Sequence, residues 1–332
     1  MVLDPLDVID SYALDALGKF DRKETCTAVR MQVSENITYL FRNKASGAGE
    51  AVLRVSRPGY HTNEELLAEI EWLEEIRKST EVHVAAPIKG RDGAFVQTLR
   101  SPLSGQTYTG VLYEFLEGKA PDESREAEVL RHFERLGEVT AQLHRQTRAW
   151  AGARTLRRGV MDFDTIIGRR PMWGRWQDAE DLQADGMAIL SRTSDVIRGR
   201  LERFGKSHQR FGLIHADLRL ANLLVHDSEI QVIDFDDCGF GWYLHDVAGA
   251  VSFIEDKPIT PSLIDAWLTG YRRVEPVSGE EQREIPTFIM QRRMQLLAWL
   301  TSHADSDPVK ELRAGFADGT VALAETYLKT FA

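Results

Sequence analysis

His215-Ala216-Asp217-Leu218-Arg219-Leu220-Ala221-Asn222 is followed ten residues later by Val232-Ile233-Asp234-Phe235-Asp236-Asp237. Asp217 stands five residues before Asn222, and Asp234 stands twelve after it, on a run that reads as strand. Phosphoryl transfer needs these groups: one carboxylate to orient an acceptor hydroxyl, and an Asn and a second carboxylate to hold Mg²⁺ on a nucleotide. The loop from Asp217 to Asn222 must turn two side chains toward one point. The apolar runs 223–225 and 231–233 then form a hairpin that returns Asp234 to it. The pattern predicts Asp217 as catalytic base, Asn222 and Asp234 as metal ligands, and an ATP-dependent kinase.

Size and composition narrow the setting. A chain of 332 residues suggests two domains, and 43% hydrophobic with 28% charged residues is ordinary for a globular protein. Cys26 and Cys238 are far apart and lack metal-ligand spacing, which argues for a reducing, cytoplasmic setting. The amino terminus has neither the basic start nor the apolar core of a signal peptide. No apolar run is long enough for a membrane span. A formal charge of −10 disfavours a nucleic-acid partner, which requires a basic footprint, and is compatible with an amine-bearing substrate. The oligomeric state leaves no signature.

The elements fall into two groups. Leu6, Ile9, Tyr12, Ala13, Leu17 and Phe20 recur at helical spacing over 5–20. Strand runs follow at 28–32, 37–41 and 51–55, the last stopped by Pro58-Gly59. Residues 64–78 form an amphipathic helix whose expected buried side is Leu66, Leu67, Ile70, Leu73 and Ile76. Two more strand runs flank Gly93 and end at 111–116, before Gly118 and Pro121. Long helices are then expected at 123–148, 178–204, 261–273, 280–303 and 307–331. Strands followed by helices suit an α+β arrangement or two separate domains. The expected division is an amino-terminal lobe over 1–116, a hinge near 113–120, and a helical lobe over 117–332.

The motif His215-x-Asp217-x₄-Asn222 with Ile233-Asp234 resembles the aminoglycoside phosphotransferase family, which includes choline, homoserine and antibiotic kinases and a bacterial stress-response Ser/Thr kinase. Leu136-Gly137-Glu138-Val139-Thr140-Ala141-Gln142-Leu143-His144 resembles the family's helix after the hinge. Trp242-Tyr243-Leu244-His245-Asp246-Val247-Ala248 resembles its segment after the metal Asp, and 270–273 and 291–299 its carboxy-terminal helices. The resemblance spans nearly the whole chain and implies a protein-kinase-like bilobal fold, a small antiparallel lobe and a larger helical one. It also implies ATP and Mg²⁺ as cofactors and a nucleotide site in the small lobe. Arg54, in Val52-Leu53-Arg54-Val55, stands where kinases carry a phosphate-binding Lys, and a guanidinium still grips phosphate in a fork. Glu69 is its implied ion-pair partner. Ser34 and Asn36 lie in the turn that covers the triphosphate, here without glycine, and Glu114 and Leu116 lie in the hinge that meets adenine. Asp246 is the implied brace of the catalytic loop, and His215 a buried strut within it.

The acceptor is less defined. Eleven residues separate Asp234 from Asp246, too few for the switchable activation segment of protein kinases. That favours a small-molecule acceptor over the Ser/Thr protein kinase alternative. A non-catalytic nucleotide-binding scaffold is disfavoured because it needs no base. Asp236 and Asp237 are candidates for metal or for a substrate amine. Trp242, Tyr243, Arg292 and Trp299 are candidates for the acceptor pocket, with Arg292 suited to an acceptor carboxylate. The segment 162–178, carrying Trp173 and Trp176, covers the site or fills core. An amino-alcohol, a homoserine-like metabolite or an amine-bearing antibiotic fits. Two further patterns are decoys. Gly199 to Gly205-Lys206-Ser207 has five intervening residues where a Walker A loop has four, and Gly239-Phe240-Gly241 lacks the third glycine of a dinucleotide fingerprint.

Overall fold

A computed structural model describes residues 5–33, 36–122, 124–227, 229–303, 309 and 312–332. The chain divides into two compact units, Met1–Gly118 with Gln231–Asp236, and Lys119–Ile230 with Asp237–Ala332. The metal-motif segment thus groups with the amino-terminal unit, although it lies far along the chain.

The first unit runs α1 (Leu6–Lys19), β1 (Cys26–Val33), β2 (Asn36–Asn43), β3 (Gly49–Ser56), α2 (Asn63–Ser79), β4 (His83–Val84), β5 (Pro87–Ile88), β6 (Val96–Arg100) and β7 (Thr107–Glu114). The main sheet is antiparallel in the order β1-β2-β3-β7-β5, with β6 also on β7. Ile9, Tyr12, Ala16 and Leu17 of α1 pack with Tyr39, Phe41, Leu53, Val55 and Leu112 of the sheet. Strand alternation sends Ala51, Leu53 and Val55 to one face and Arg54 to the other. On α2, a capping box between Thr62 and Glu65 fixes the first turn. The buried side of α2 is Leu66, Ala68, Glu69, Ile70, Trp72, Leu73 and Ile76. Leu67, expected inside, is 47% exposed. One residue of helix turns the side chain by a hundred degrees, and Leu67 falls outside the stripe centred on Leu66, Ile70 and Leu73. Gln231 and Val232 pair in parallel with His83 and Val84, which ties the metal-motif segment to this unit.

The second unit contains α3 (Glu126–Ala149), β8 (Val160–Met161), α4 (Phe163–Ile166), α5 (Ala184–Phe204), β9 (Phe211–Ile214), β10 (Leu223–His226), the first half of the short strand β11 (Glu229–Val232), β12 (Gly239–Trp242), α6 (His245–Ala250), α7 (Thr260–Tyr271), α8 (Gly279–Ser302) and α9 (Phe316–Phe331). Two helices are shorter than expected. Residues Trp176–Asp178 form a separate 3₁₀ turn before α5, and Gly315, at φ +72°, interrupts the chain before α9. The Walker-like pattern is the end of α5, where Gly205 stops the helix in an extended conformation of positive φ that is open to glycine. β12 lies between β8 and β9. Helices α3 and α7 meet backbone to backbone: a Cβ on Gly137 would lie 2.0 Å from the Trp267 carbonyl oxygen, and one on Gly270 1.7 Å from that of Glu134. No helix among the described residues is long and apolar enough to cross a membrane.

Candidate active site

In the second unit, β9 delivers the chain to His215, and a 3₁₀ turn over Leu220–Asn222 leads into β10. Between them Ala216 adopts φ +72°, a strained conformation for a residue with a Cβ. The strain is held by hydrogen bonds: the N–H groups of Ala216 and His215 donate to Asp246 at 2.7 and 3.3 Å. Asp246 is fully buried and also accepts from His144 Nε2 at 3.0 Å, while the Tyr271 hydroxyl donates to His144 Nδ1 at 3.0 Å. Burial disfavours the Asp246 anion, but His144 and these donors hold its carboxyl below the usual range. The His215 ring, fully buried, accepts from the Asp217 N–H at 3.3 Å, so it acts inside the loop as a strut.

This framework presents Asp217, whose carboxylate is a meeting point. Arg292 Nη2 donates to Oδ1 at 2.6 Å, Arg219 Nε donates to Oδ2 at 3.1 Å, and Asn222 Nδ2 donates to Oδ2 at 2.7 Å and to the Asp217 carbonyl at 2.9 Å. Burial opposes ionisation of Asp217, yet the two guanidiniums keep its carboxyl below its ordinary value. Because Asn222 uses its amide nitrogen on Asp217, its oxygen is left for a cation. His245, also buried, has both ring nitrogens without hydrogen-bond partners among the described residues. Burial, with Arg292 nearby, pushes it down to about 4, so it is neutral at physiological pH.

In the first unit, Arg54 is buried and donates to Glu69 at 2.5 Å. The Tyr113 hydroxyl donates to the other Glu69 oxygen at 3.0 Å, and the Arg54 guanidinium lies 5.2 Å from the Tyr113 ring centre. Asp236 lies 3.4 Å from Arg54, accepts from Asn36 Nδ2 at 2.7 Å, and has His61 Nε2 at 3.3 Å. Burial opposes the Asp236 anion, but Arg54, His61 and Asn36 outweigh it and hold the carboxyl well below its usual range. Asp234 sits at φ +64° with its carboxylate half exposed and 3.9 Å from Arg54. Glu114, at the end of β7, donates its N–H to the Ala86 carbonyl at 2.8 Å and pairs its side chain with Arg77 at 3.5 Å. The N–H of Leu116, by contrast, has no acceptor among the described residues. Ser34 lies outside the described residues.

The remaining acceptor candidates separate. Arg292 is brought to Asp217 rather than held out for an acceptor carboxylate: Nε also donates to Ser252 at 3.0 Å and Nη1 to Gln295 at 3.2 Å. Trp173 lies over its guanidinium at 4.9 Å, whereas Trp176 is core. Asp236, a candidate for metal or for a substrate amine, is engaged within the first unit by Arg54 and Asn36. Asp237 is half-buried. Trp242 is buried, donates to the Gly205 carbonyl at 2.7 Å and packs on Phe211 and Phe288. Tyr243 is buried against His144 and Arg148. Tyr243 thus packs in the core, while Trp242 also lines a cavity with Asp162, Leu201 and Lys206. Trp299 stacks on His303. The sequence reading missed His61 and Arg219. His61, in the turn before α2, carries no pattern, whereas Arg219 lay in plain view two residues after Asp217.

Comparison with known proteins agrees with this geometry. The family described as "Phosphotransferase enzyme family" matches residues 28–284. A solved microcompartment-associated aminopropanol kinase is similar at 38% identity and a TM-score of 0.86, covering 96% of this chain and 97% of its own. A solved amicoumacin kinase, in complex with AMP-PNP, Ca²⁺ and Ami, is similar in fold at 22% identity and a TM-score of 0.74, covering 96% and 94%. The homoserine kinase of Rhizobium etli (strain CIAT 652) is 28% identical over 68% of this chain and 69% of its own. The α+β fold is the protein-kinase-like one, which recurs in solved aminoglycoside phosphotransferases.

Proposed function

We propose, from the premise that this chain belongs to the phosphotransferase enzyme family, that it transfers the terminal phosphoryl group of ATP to the hydroxyl of a small amino-alcohol. The observation that carries the reading is Asp217, a buried carboxylate held in a strained loop by Asp246 and shared with Asn222. An acceptor hydroxyl gives its proton toward Asp217 as its oxygen attacks the phosphorus, and ADP leaves with the electrons of the broken bond. Arg54, kept charged and straight by Glu69, binds phosphate oxygens. The N–H of Leu116 is the donor offered to adenine.

The donor set suits Mg²⁺, which takes one or two protein oxygens and completes its shell with phosphate and water. Asn222 offers its amide oxygen and Asp234 an accessible carboxylate. When bound, the cation neutralises charge on the phosphates. Likeness to the aminopropanol kinase over nearly all of both chains supports an amino-alcohol acceptor. The commitment of Arg292 to Asp217 weighs against one chosen for its carboxylate.

The test is coupled ADP release with ATP, Mg²⁺ and a panel holding 1-amino-2-propanol, ethanolamine, homoserine and aminated antibiotics, after subtraction of basal hydrolysis. An amino-alcohol should give the highest kcat/KM. Asp217→Ala should lower kcat by about 10³-fold while leaving ATP affinity within a few fold. Transfer to protein but to no small molecule would defeat the proposal.

A further inference from the structure

Resting on the reading above, we infer that Arg292 is a positioning residue: clamped by Ser252 and Gln295 and backed by Trp173, it fixes the direction in which the Asp217 carboxylate faces the acceptor hydroxyl. Arg292 is 2% exposed, and three of its nitrogens have side-chain acceptors on three different segments. Gln295 lies one turn on along α8, Ser252 follows α6, and Asp217 lies on the catalytic loop. A guanidinium is planar, and three hydrogen bonds in its plane leave it no free rotation. The Trp173 ring faces it at 4.9 Å, and Ser302 Oγ donates to the Trp173 carbonyl at 2.8 Å, anchoring that segment to the end of α8.

Arg219 and Asn222 both hold Oδ2, whereas Arg292 is the side chain that holds Oδ1, so without it the carboxylate is free to pivot about Oδ2, and a misplaced base loses about 10²-fold in rate. The pair accepts an electrostatic penalty in return, because a cation touching a carboxylate weakens it as a base. Phosphoryl transfer tolerates that weakness. Its transition state is loose and depends on alignment more than on proton abstraction. Replacing a buried ion pair by apolar side chains of similar volume is often neutral or stabilising, so stability alone does not account for Arg292.

The test has two arms. In crystals of Arg292→Met without substrates, the Asp217 carboxylate should leave its wild-type rotamer, whereas Arg292→Lys should retain it in part. This arm needs no acceptor, so it stands whether or not the proposed reaction is correct. With 1-amino-2-propanol as acceptor, Arg292→Met should lower kcat by about 10²-fold with KM for ATP and acceptor within about threefold, and Arg292→Lys should recover part of the loss. Trp173→Ala should lower kcat less, and the double variant should be no worse than Arg292→Met, since the two act through one carboxylate. An unmoved Asp217 in Arg292→Met overturns the inference, as does a rise in acceptor KM at unchanged kcat. If Arg292→Met fails to fold, Arg292→Lys carries both arms, and a wild-type rotamer with wild-type kcat then overturns it.

Discussion

Arg54 and Arg292 are both guanidiniums buried beside aspartates, yet their surroundings have opposite sign. Around Arg54 stand three carboxylates, those of Glu69, Asp234 and Asp236, at 2.5, 3.9 and 3.4 Å. Around Asp217 stand two guanidiniums, those of Arg292 and Arg219, at 2.6 and 3.1 Å. The first cluster has an excess of negative charge. The second has an excess of positive charge. Each cluster lies within its own compact unit, so each imbalance can be altered separately.

The contrast can be broken at three points of decreasing effect. Asp234→Ala removes the exposed carboxylate of the negative cluster. It should abolish the Mg²⁺-dependent part of ATP binding, a loss of about 3 kcal/mol or roughly 10²-fold in affinity, read by calorimetric titration with and without the metal. If nucleotide binding responds to Mg²⁺ as before, Asp234 is not a ligand. Glu69→Ala strands Arg54 with Asp236 as its near partner. Breaking a buried ion pair should destabilise the chain by about 3 kcal/mol in urea unfolding, with no direct effect on the positive cluster.

The third point is pH. His245 lies near the positive cluster and is held neutral, down to about 4 from the ordinary 6.5. Below 6.5 the unfolded chain takes up a proton that the folded chain refuses, so stability rises with pH through this window and falls as the medium is acidified toward 4. The loss should reach about 2 kcal/mol between pH 6.5 and 5, and His245→Gln should flatten that part of the curve. Equal slopes for the two proteins would show that His245 is not the group responsible.

Much of the architecture was readable because it rests on local pattern. Alternation marked β3, and helical spacing marked α1 and α2. Leu67 misled because hydrophobicity alone cannot say where an apolar stripe ends. In the clusters, the spacing of Asp217, Asn222 and Asp234 was visible, as was an Arg in the middle of an apolar strand. Pairings over long separations were not. Nothing within α8 shows that Arg292 meets Asp217, since Gln291-Arg292-Arg293 and Gln295 look like a polar outer face and are all buried. Trp242 and Tyr243 suggested a pocket because aromatic residues near a motif serve binding and packing equally well. Arg148, Gly205 and Phe288, which surround them, come from distant parts of the chain.

The crossing of α3 and α7 has a consequence for how such a chain can change over time. His144 and Tyr271, which support Asp246, project from these two helices, and at Gly137 and Gly270 the main chains touch. Elsewhere a lost methyl group can be answered by a neighbour that grows. Here no neighbouring side chain exists to trade volume, so a library randomised at either position should return glycine. Drift is thereby channelled to the side chains around Asp217, while the pedestal beneath it stays out of reach of gradual change.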